Sequence, residues 1–337
     1  MTTATESAAP ETKLVLLGTA GGPLPSPVRS GIATAVVVRG KVHLVDCGSG
    51  VTLQLRRARL LRDLHQVYLT HLHSDHDCDY FNLFLLAWPI IQWNPPVHVH
   101  GPGSAGGLAG MPADPPGESP FPVVSPGSPT PGLVESTELQ FAAHAYDLNI
   151  RIRDSGRLDP RDLVVPHEIP LPAGARGPDQ VAPHMDPLVI SEDDDVRVSA
   201  VLVHHAPVFP AFAFRFDTDR GSVVISGDTA PCANLVTLAT GADILVHEVF
   251  DDTLEPQWSE GDTRRTREQL QRQHLVNSHT PISVIAKVAA EAGVARLVLT
   301  HFVPREDTLP DEHWLQRIGP EFDGEVVVGR DLAEFSL

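Results

Sequence analysis

An apolar run, Val67-Tyr68-Leu69, stops at Thr70 and is followed within six positions by His71, His73, Asp75 and His76. A strand ending in three imidazoles and a carboxylate constrains the fold sharply, because each group loses water on burial and needs a partner there. A metal ion satisfies them all. In extended backbone His71 and His73 share one face, and the turn that follows can return Asp75 and His76 beside them. That spacing favours two neighbouring cations. Imidazole with carboxylate suits zinc, with iron and manganese as competitors.

The 337 residues are 42% hydrophobic and 20% charged, enough for a large core in a soluble, globular composition. Lys and Arg number 25 against 43 acidic residues, a formal charge of −18, which predicts that nucleic acid and anionic membranes are unlikely partners. Cys47, Cys78 and Cys232 have unrelated spacings and form neither a disulfide framework nor a CxxC site, which fits a cytoplasmic setting. The start, MTTATESAAPETK, lacks the basic and apolar regions of a signal peptide, so residues 1–12 read as a disordered polar tail. No apolar run reaches the ~18 residues that span a bilayer.

From Lys13 the chain reads KLVLLG, GIATAVVVRG and KVHLVDCG, apolar runs each closed by glycine and so predicted strands. Residues 52–64 have helical periodicity. The stretch DYFNLFLLAWPIIQWNPP predicts a helix broken at Pro89, with part of its surface available as a dimer face or pocket wall. Residues 95–190 hold more than half of the 31 prolines, and 101–190 reads as an insertion covering the site, with no core of its own. Within it, STELQFAAHAYDLNIRIRD predicts one helix capped at Ser136 or Thr137. From Asp195 strands and helices alternate, including a helix opened by Thr280-Pro281. The prediction is an α/β (α+β) fold, two mixed sheets sandwiched between helices, in one domain over 13–337.

A dinuclear site needs further donors at later strand ends. VLVHHAP supplies His204 and His205, VVISGDT supplies Asp228, and LVLTHF supplies His301. With LGTAGG, LVDCG, THLHSDH, LVHEVFDD and SHTPISVIAKVAAEAGV, these pieces resemble the metallo-β-lactamase fold superfamily and, within it, the ribonuclease Z-like branch. They cover almost the whole chain outside the insertion, in the family order.

The resemblance implies an αββα sandwich, a homodimer and two zinc ions, with Mn or Fe as alternatives. By position it implies that His71, His73 and one histidine of the VHHAP strand hold the first ion, Asp75, His76 and His301 the second, and that Asp228 bridges them. His205 is preferred to His204 because it stands immediately before the Ala-Pro turn. The same resemblance gives Glu248 and His279 as a pair assisting proton transfer and Asp75 as both a ligand and an orienter of hydroxide. Asp46 is a candidate to fix a ligand imidazole's tautomer, while Cys78 and the histidines at 98, 100, 144, 167 and 184 are read as bystanders.

Ribonuclease Z enzymes carry an arm that grips transfer RNA between the third metal histidine and the bridging aspartate. Here His205 and Asp228 are 23 positions apart, room for two strands and a turn, and 101–150 contains no Lys or Arg. The function expected is therefore a metal-dependent hydrolase cleaving an ester-type bond in a small molecule: carboxylic ester, lactone, sulfate ester or phosphodiester. The alternatives are a ribonuclease Z-type nuclease acting on transfer RNA 3′ ends, which a basic patch on the folded surface would favour, and a di-iron redox protein.

Overall fold

Strands that are mostly apolar are covered on both faces, and β1 (Lys13–Gly18), β2 (Ala33–Val38) and β3 (Lys41–Val45) are buried in this way beyond their first residues. In β1, Leu14 and Leu16 join the core between the sheets, while Val15 and Leu17 join the core beneath the helices. The computed structural model describes residues 12–108, 122–177, 180–253, 274–304 and 309–337. It contains two seven-stranded mixed sheets packed face to face.

The first sheet continues outward from β3 through β4 (Leu64–Tyr68), β5 (Val97–Gly101) and β6 (Val164–Glu168). The second runs from β7 (Leu188–Glu192) through β8 (Val196–Leu202), β9 (Phe212–Thr218), β10 (Ser222–Ile225), β11 (Ile244–Phe250) and β12 (Arg296–Val303) to β13 (Glu325–Val328). A short β14 (Glu334–Ser336) closes the first sheet beside β1. Strands β3 to β6 and β10 to β13 are parallel runs, so their carboxyl ends gather along one edge of the sandwich, where a site can be assembled.

Helix α1 (Val51–Arg57), the single turn α2 (Ser74–Asp77), α3 (Tyr80–Ile91), α4 (Leu133–Ala143) and α5 (Ala145–Ser155) belong to the first half. Val51, Leu55, Phe84, Trp88, Leu133 and Phe141 from these helices bury against the outer face of the first sheet. On the second sheet the same task falls to α6 (Ala233–Ala239), α7 (Ile282–Ala292) and α8 (Asp311–Leu315), through Leu235, Ile282, Ile285 and Trp314. The αββα sandwich is the architecture expected.

Several local expectations shift. The helix foreseen over 52–64 stops at Arg57, because Leu60 N–H bonds the Leu55 carbonyl and Arg59 N–H bonds the Arg56 carbonyl, the pattern of a Schellman cap. Arg59 stands at the left-handed position of that cap with φ 62°, where glycine is usual and a side chain costs roughly 1 kcal/mol. Pro89 does not break α3 mid-course; the helix runs two residues beyond it and ends at Ile91. The single helix over 136–154 is two, divided at His144, and begins at Leu133. Thr137 lies inside it, buried, with its hydroxyl bonded to the Leu133 carbonyl and to Tyr80.

The proline-rich stretch also carries more of the fold than a covering loop would. It contributes α4, α5 and the edge strands β6 and β7, and Leu133, Phe141, Leu148 and Val164 enter the main core. Residues 109–121 and 178–179 of it, and 1–11 of the expected tail, lie outside the described residues. Between His205 and Asp228 the chain forms β9, a turn and β10, with no room for an arm.

His43 on β3 is fully buried, with neither ring nitrogen hydrogen-bonded, and burial lowers its pKa from 6.5 to about 3. Between those values the unfolded chain binds a proton that the folded chain refuses. The resulting stability is present above pH 6.5 and is lost as pH falls toward 3. The wild type should therefore lose about 1.4 kcal/mol more per pH unit in this window than His43→Leu, read from denaturant unfolding. Parallel pH profiles for the two proteins would refute the assignment.

Candidate metal centre

Beyond Tyr68 the backbone bends at Thr70, is extended at His73 and then tightens into α2, where His76 N–H bonds the His73 carbonyl at 2.9 Å. This folds Asp75 and His76 back beside His71 and His73. His205 follows β8, Asp228 follows β10 after Gly227 at φ 58°, and Glu248 sits in β11. His301 is the extra residue of a bulge in β12: Thr300 pairs with Glu248 and Phe302 with Val249, leaving His301 between them at φ 48°. The bulge turns its imidazole out of the ladder and into the site.

Three groups of donors share Asp228, and one of them joins it to Glu248, His279 and His301. Of the other two, His71, His73, His205 and Asp228 form one, and Asp75, His76, Asp228 and His301 the second, with the donor atoms of each group within 4.8 Å of one another. His71 Nε2 lies 3.0 Å and His205 Nε2 3.2 Å from His73 Nδ1. On the other side His301 Nε2 stands 3.3 Å from His76 Nε2 and 3.4 Å from both Asp75 Oδ2 and Asp228 Oδ2.

The outer nitrogens decide what these contacts are. Thr70 gives its hydroxyl hydrogen to Asp46, so at 3.1 Å it can only accept from His71 Nδ1. His205 Nδ1 donates to the Ser278 carbonyl at 2.9 Å, and His76 Nδ1 to Asp46 Oδ2 at 2.8 Å. The neutral rings of His71 and His205 therefore turn a bare Nε2 lone pair inward, toward His73 Nδ1, and nitrogens that close repel unless a cation sits among them. Ligands about 2.0–2.1 Å from a tetrahedral ion lie ~3.3 Å apart, close to the spacings here. Asp228 Oδ1 and His301 Nδ1 are buried without a hydrogen-bond partner. The donor set fits two metal ions.

The electrostatics agree. Burial and neighbouring imidazoles hold His71 well below its ordinary pKa, and burial takes His205 down to about 3. Burial opposes charge on His76 and His301 too, but there the Asp228 carboxylate, with Asp46 beside His76 and Asp75 beside His301, raises them. Asp75 and Asp228 are held below the ordinary carboxylate range against burial, by His301 and His76. One half is made of neutral ligands. The other gathers negative charge that protons or cations must balance.

Glu248 and His279 form a third feature. His279 Nδ1 lies 2.8 Å from Glu248 Oε2, and Thr229 N–H donates to Glu248 Oε1 at 2.6 Å. Burial pushes the Glu248 carboxyl up and would pull His279 down, but the charge and hydrogen bond of Glu248 raise His279 to about 9. The Thr229 donor favours the carboxylate form, so the proton resides on His279.

Of the two adjacent histidines, His205 is buried in the cluster, whereas His204 is exposed. Asp46, at φ 62°, accepts from Thr70 N–H at 2.8 Å as well as from His76. Cys78 is exposed and belongs to none of the donor groups. One residue was not foreseen: His274, one turn before Ser278, stands with its ring 5.9 Å from that of His279 and 6.5 Å from that of His205. Its spacing to His279 follows neither strand nor helix period, so only the fold reveals it.

Two clefts flank the centre. One of about 650 Å³ beside His73 is walled by Leu72, Pro102, Leu108, Pro131, Phe209 and Pro210. The other, about 400 Å³, reaches from Asp75 past Ser26, Ser49 and Gln54 to Arg57.

The family model described as Metallo-beta-lactamase superfamily matches residues 28–272. A protein of Mycobacterium bovis (strain BCG / Pasteur 1173P2) named Ribonuclease Z is 32% identical over 324 residues, covering 95% of this chain and 96% of that protein. One of the same name from Mycobacterium avium (strain 104) is also 32% identical over 324 residues, covering 95% of this chain and 96% of its own. Among solved structures, human tRNase Z, short form, superposes with a TM-score of 0.62 at 21% identity over 96% of this chain and 98% of its own. The metallo-beta-lactamase fold protein YhfI from Bacillus subtilis gives 0.60 at 17% identity, over 97% and 99%.

The names of these relatives overturn the expectation that nucleic acid is an unlikely partner. A charge of −18 is a sum over the surface, whereas RNA is met locally. No helix among the described residues is long and apolar enough to cross a membrane.

Purified protein should carry about two transition-metal ions per chain. Asp228→Ala should loosen both and His205→Ala one, while His204→Ala keeps them; Asp46→Ala should cost about 10–100-fold in affinity. Elemental analysis with chelator titration reads all four. Saturation at one ion, or metal loss in a folded His204→Ala protein, would contradict the arrangement.

Proposed function

Because this chain belongs to the metallo-beta-lactamase superfamily, in its ribonuclease Z-like branch, we propose that it is a metal-dependent phosphodiesterase cleaving RNA, with precursor transfer RNA 3′ ends as substrate. This replaces the small-molecule ester as the preferred reading. The observation that carries it is the hydrogen-bonded His279–Glu248 pair beside a two-ion donor set, in a chain 32% identical to proteins named Ribonuclease Z.

In this reading His71, His73 and His205 hold one ion, Asp75, His76 and His301 the second, and Asp228 both. Bound cations would supply hydroxide near neutral pH and offset charge on the phosphoryl oxygens. The chain's own groups do the rest. Thr70, Asp46 and the Ser278 carbonyl lock ring orientations through the outer nitrogens. Asp75, 10% exposed at its side chain, is placed to orient the attacking water. His279, whose Nδ1 is held by Glu248, has Nε2–H to give to the ribose oxygen that leaves.

Zinc is the metal this reading favours, from the imidazole and carboxylate donors. It also takes 13–337 as one domain, with the proline-walled cleft beside His73 as the part of the 101–190 segment that covers the site. A cytoplasmic homodimer completes it. Leu86 on α3 and Trp93 just beyond it, 67% and 74% exposed, support a face that a second copy would cover.

Glu248→Gln and His279→Ala should retain both metals and the fold yet slow cleavage of precursor transfer RNA by about 100-fold or more. With bis(p-nitrophenyl) phosphate, whose leaving group needs no proton, the loss should shrink to well below the ~100-fold that general-acid help contributes. Equal losses on both substrates would remove His279 from proton transfer. Metal-loaded wild type that cleaves the small diester but never precursor transfer RNA would overturn the RNA reading.

A further inference from the structure

Four arginines crowd into positions 56–62 of a chain whose formal charge is −18: Arg56, Arg57, Arg59 and Arg62. All are exposed. Among the described residues none of the four is ion-paired, although Arg39, Arg151, Arg153, Arg161, Arg197, Arg215 and Arg296 all have carboxylate partners. Arg57 bonds only an amide, Gln54 Oε1, at 2.9 Å.

Helix-end electrostatics accounts for part of this. Arg56 and Arg57 occupy the last turn of α1, where a cation complements the helix dipole. It does not account for Arg59 or Arg62. Arg59 holds the left-handed position of the Schellman cap, where glycine would be the more stable choice, so stability is given up to keep a guanidinium there. Backbone strain of this kind points from structure to use. Arg57 ties the segment to the centre, because it lines the same cleft as Asp75.

Resting on the nuclease reading, we infer that Arg56, Arg57, Arg59 and Arg62 form the surface that grips the RNA phosphate backbone leading to the scissile bond. Unpaired guanidiniums bind phosphates bidentately and release counterions as they do so. A local patch of this kind lets an acidic protein hold a polyanion although β9 and β10 leave no space for an arm between His205 and Asp228.

The test compares two triple variants with the same change in charge, both metal-loaded. R56Q/R59G/R62Q removes three cluster arginines, and R151Q/R153Q/R161Q removes three that are paired elsewhere. Precursor transfer RNA binding is read by filter retention, and cleavage beside it, across a salt series. The cluster variant should bind at least about 10-fold more weakly at physiological salt, with the log–log salt slope reduced by about 2; the control should keep both. Arg59→Gly alone should weaken binding while its melting temperature is no lower than wild type, a divergence that a structural role would not give. Equal binding by the two triple variants and wild type overturns the inference, whether or not the RNA is cut. Wild type that binds through the cluster but does not cleave, while still hydrolysing bis(p-nitrophenyl) phosphate, fails the proposed function and leaves the surface standing.

Discussion

Asp228 is the constraint around which the molecule is organised. It is a carboxylate 2% exposed, closed in by His71, His76, His205, His279 and His301, with one oxygen lacking any hydrogen bond. An ionised carboxylate in such a place is costly unless positive charge is brought to it. The two groups assigned to ions meet that need by sharing Asp228. The sandwich is the means of delivering them, since parallel runs in both sheets bring loops from distant parts of the chain to one edge.

Delivery depends on a few costly backbone details. Asp46 and His301 both adopt positive φ, at 62° and 48°, and both do so to aim a side chain at the centre. Gly21 and Gly48 are equally bound to it. A Cβ on Gly21 would lie 2.8 Å from His301 Nδ1, and one on Gly48 would lie 2.6 Å from the Asp75 carbonyl. The glycine-rich turns after β1 and β3 thus make room for metal-site residues.

Much of the site was legible in the sequence because its donors end apolar strands, and strand ends are readable from hydrophobic runs. THLHSDH, SGDT and LTHF carry their meaning locally. What was not legible depends on geometry across the chain. The bulge at His301 arises from pairing with β11, and His274 comes near the centre only through the fold that sets its ring 6.5 Å from that of His205. Pro89 was misjudged because it removes only one helical N–H, that toward Leu85, while burial of Trp88 and Ile91 on either side holds the last turn in place. The nucleic-acid expectation failed because composition averages charge that the surface does not: the cluster at 56–62 vanishes in a net sum of −18.

That two cations flank Asp228 is read most directly by anomalous X-ray scattering from crystals grown with zinc. The account predicts two peaks about 3.5–4 Å apart, the separation of two-metal hydrolytic sites, one among His71, His73 and His205 and the other among Asp75, His76 and His301, with Asp228 between them. A single peak, or a second ion held by Glu248 and His279 in place of Asp75 and His76, would contradict both the bridging role of Asp228 and the assignment of His279 to proton transfer.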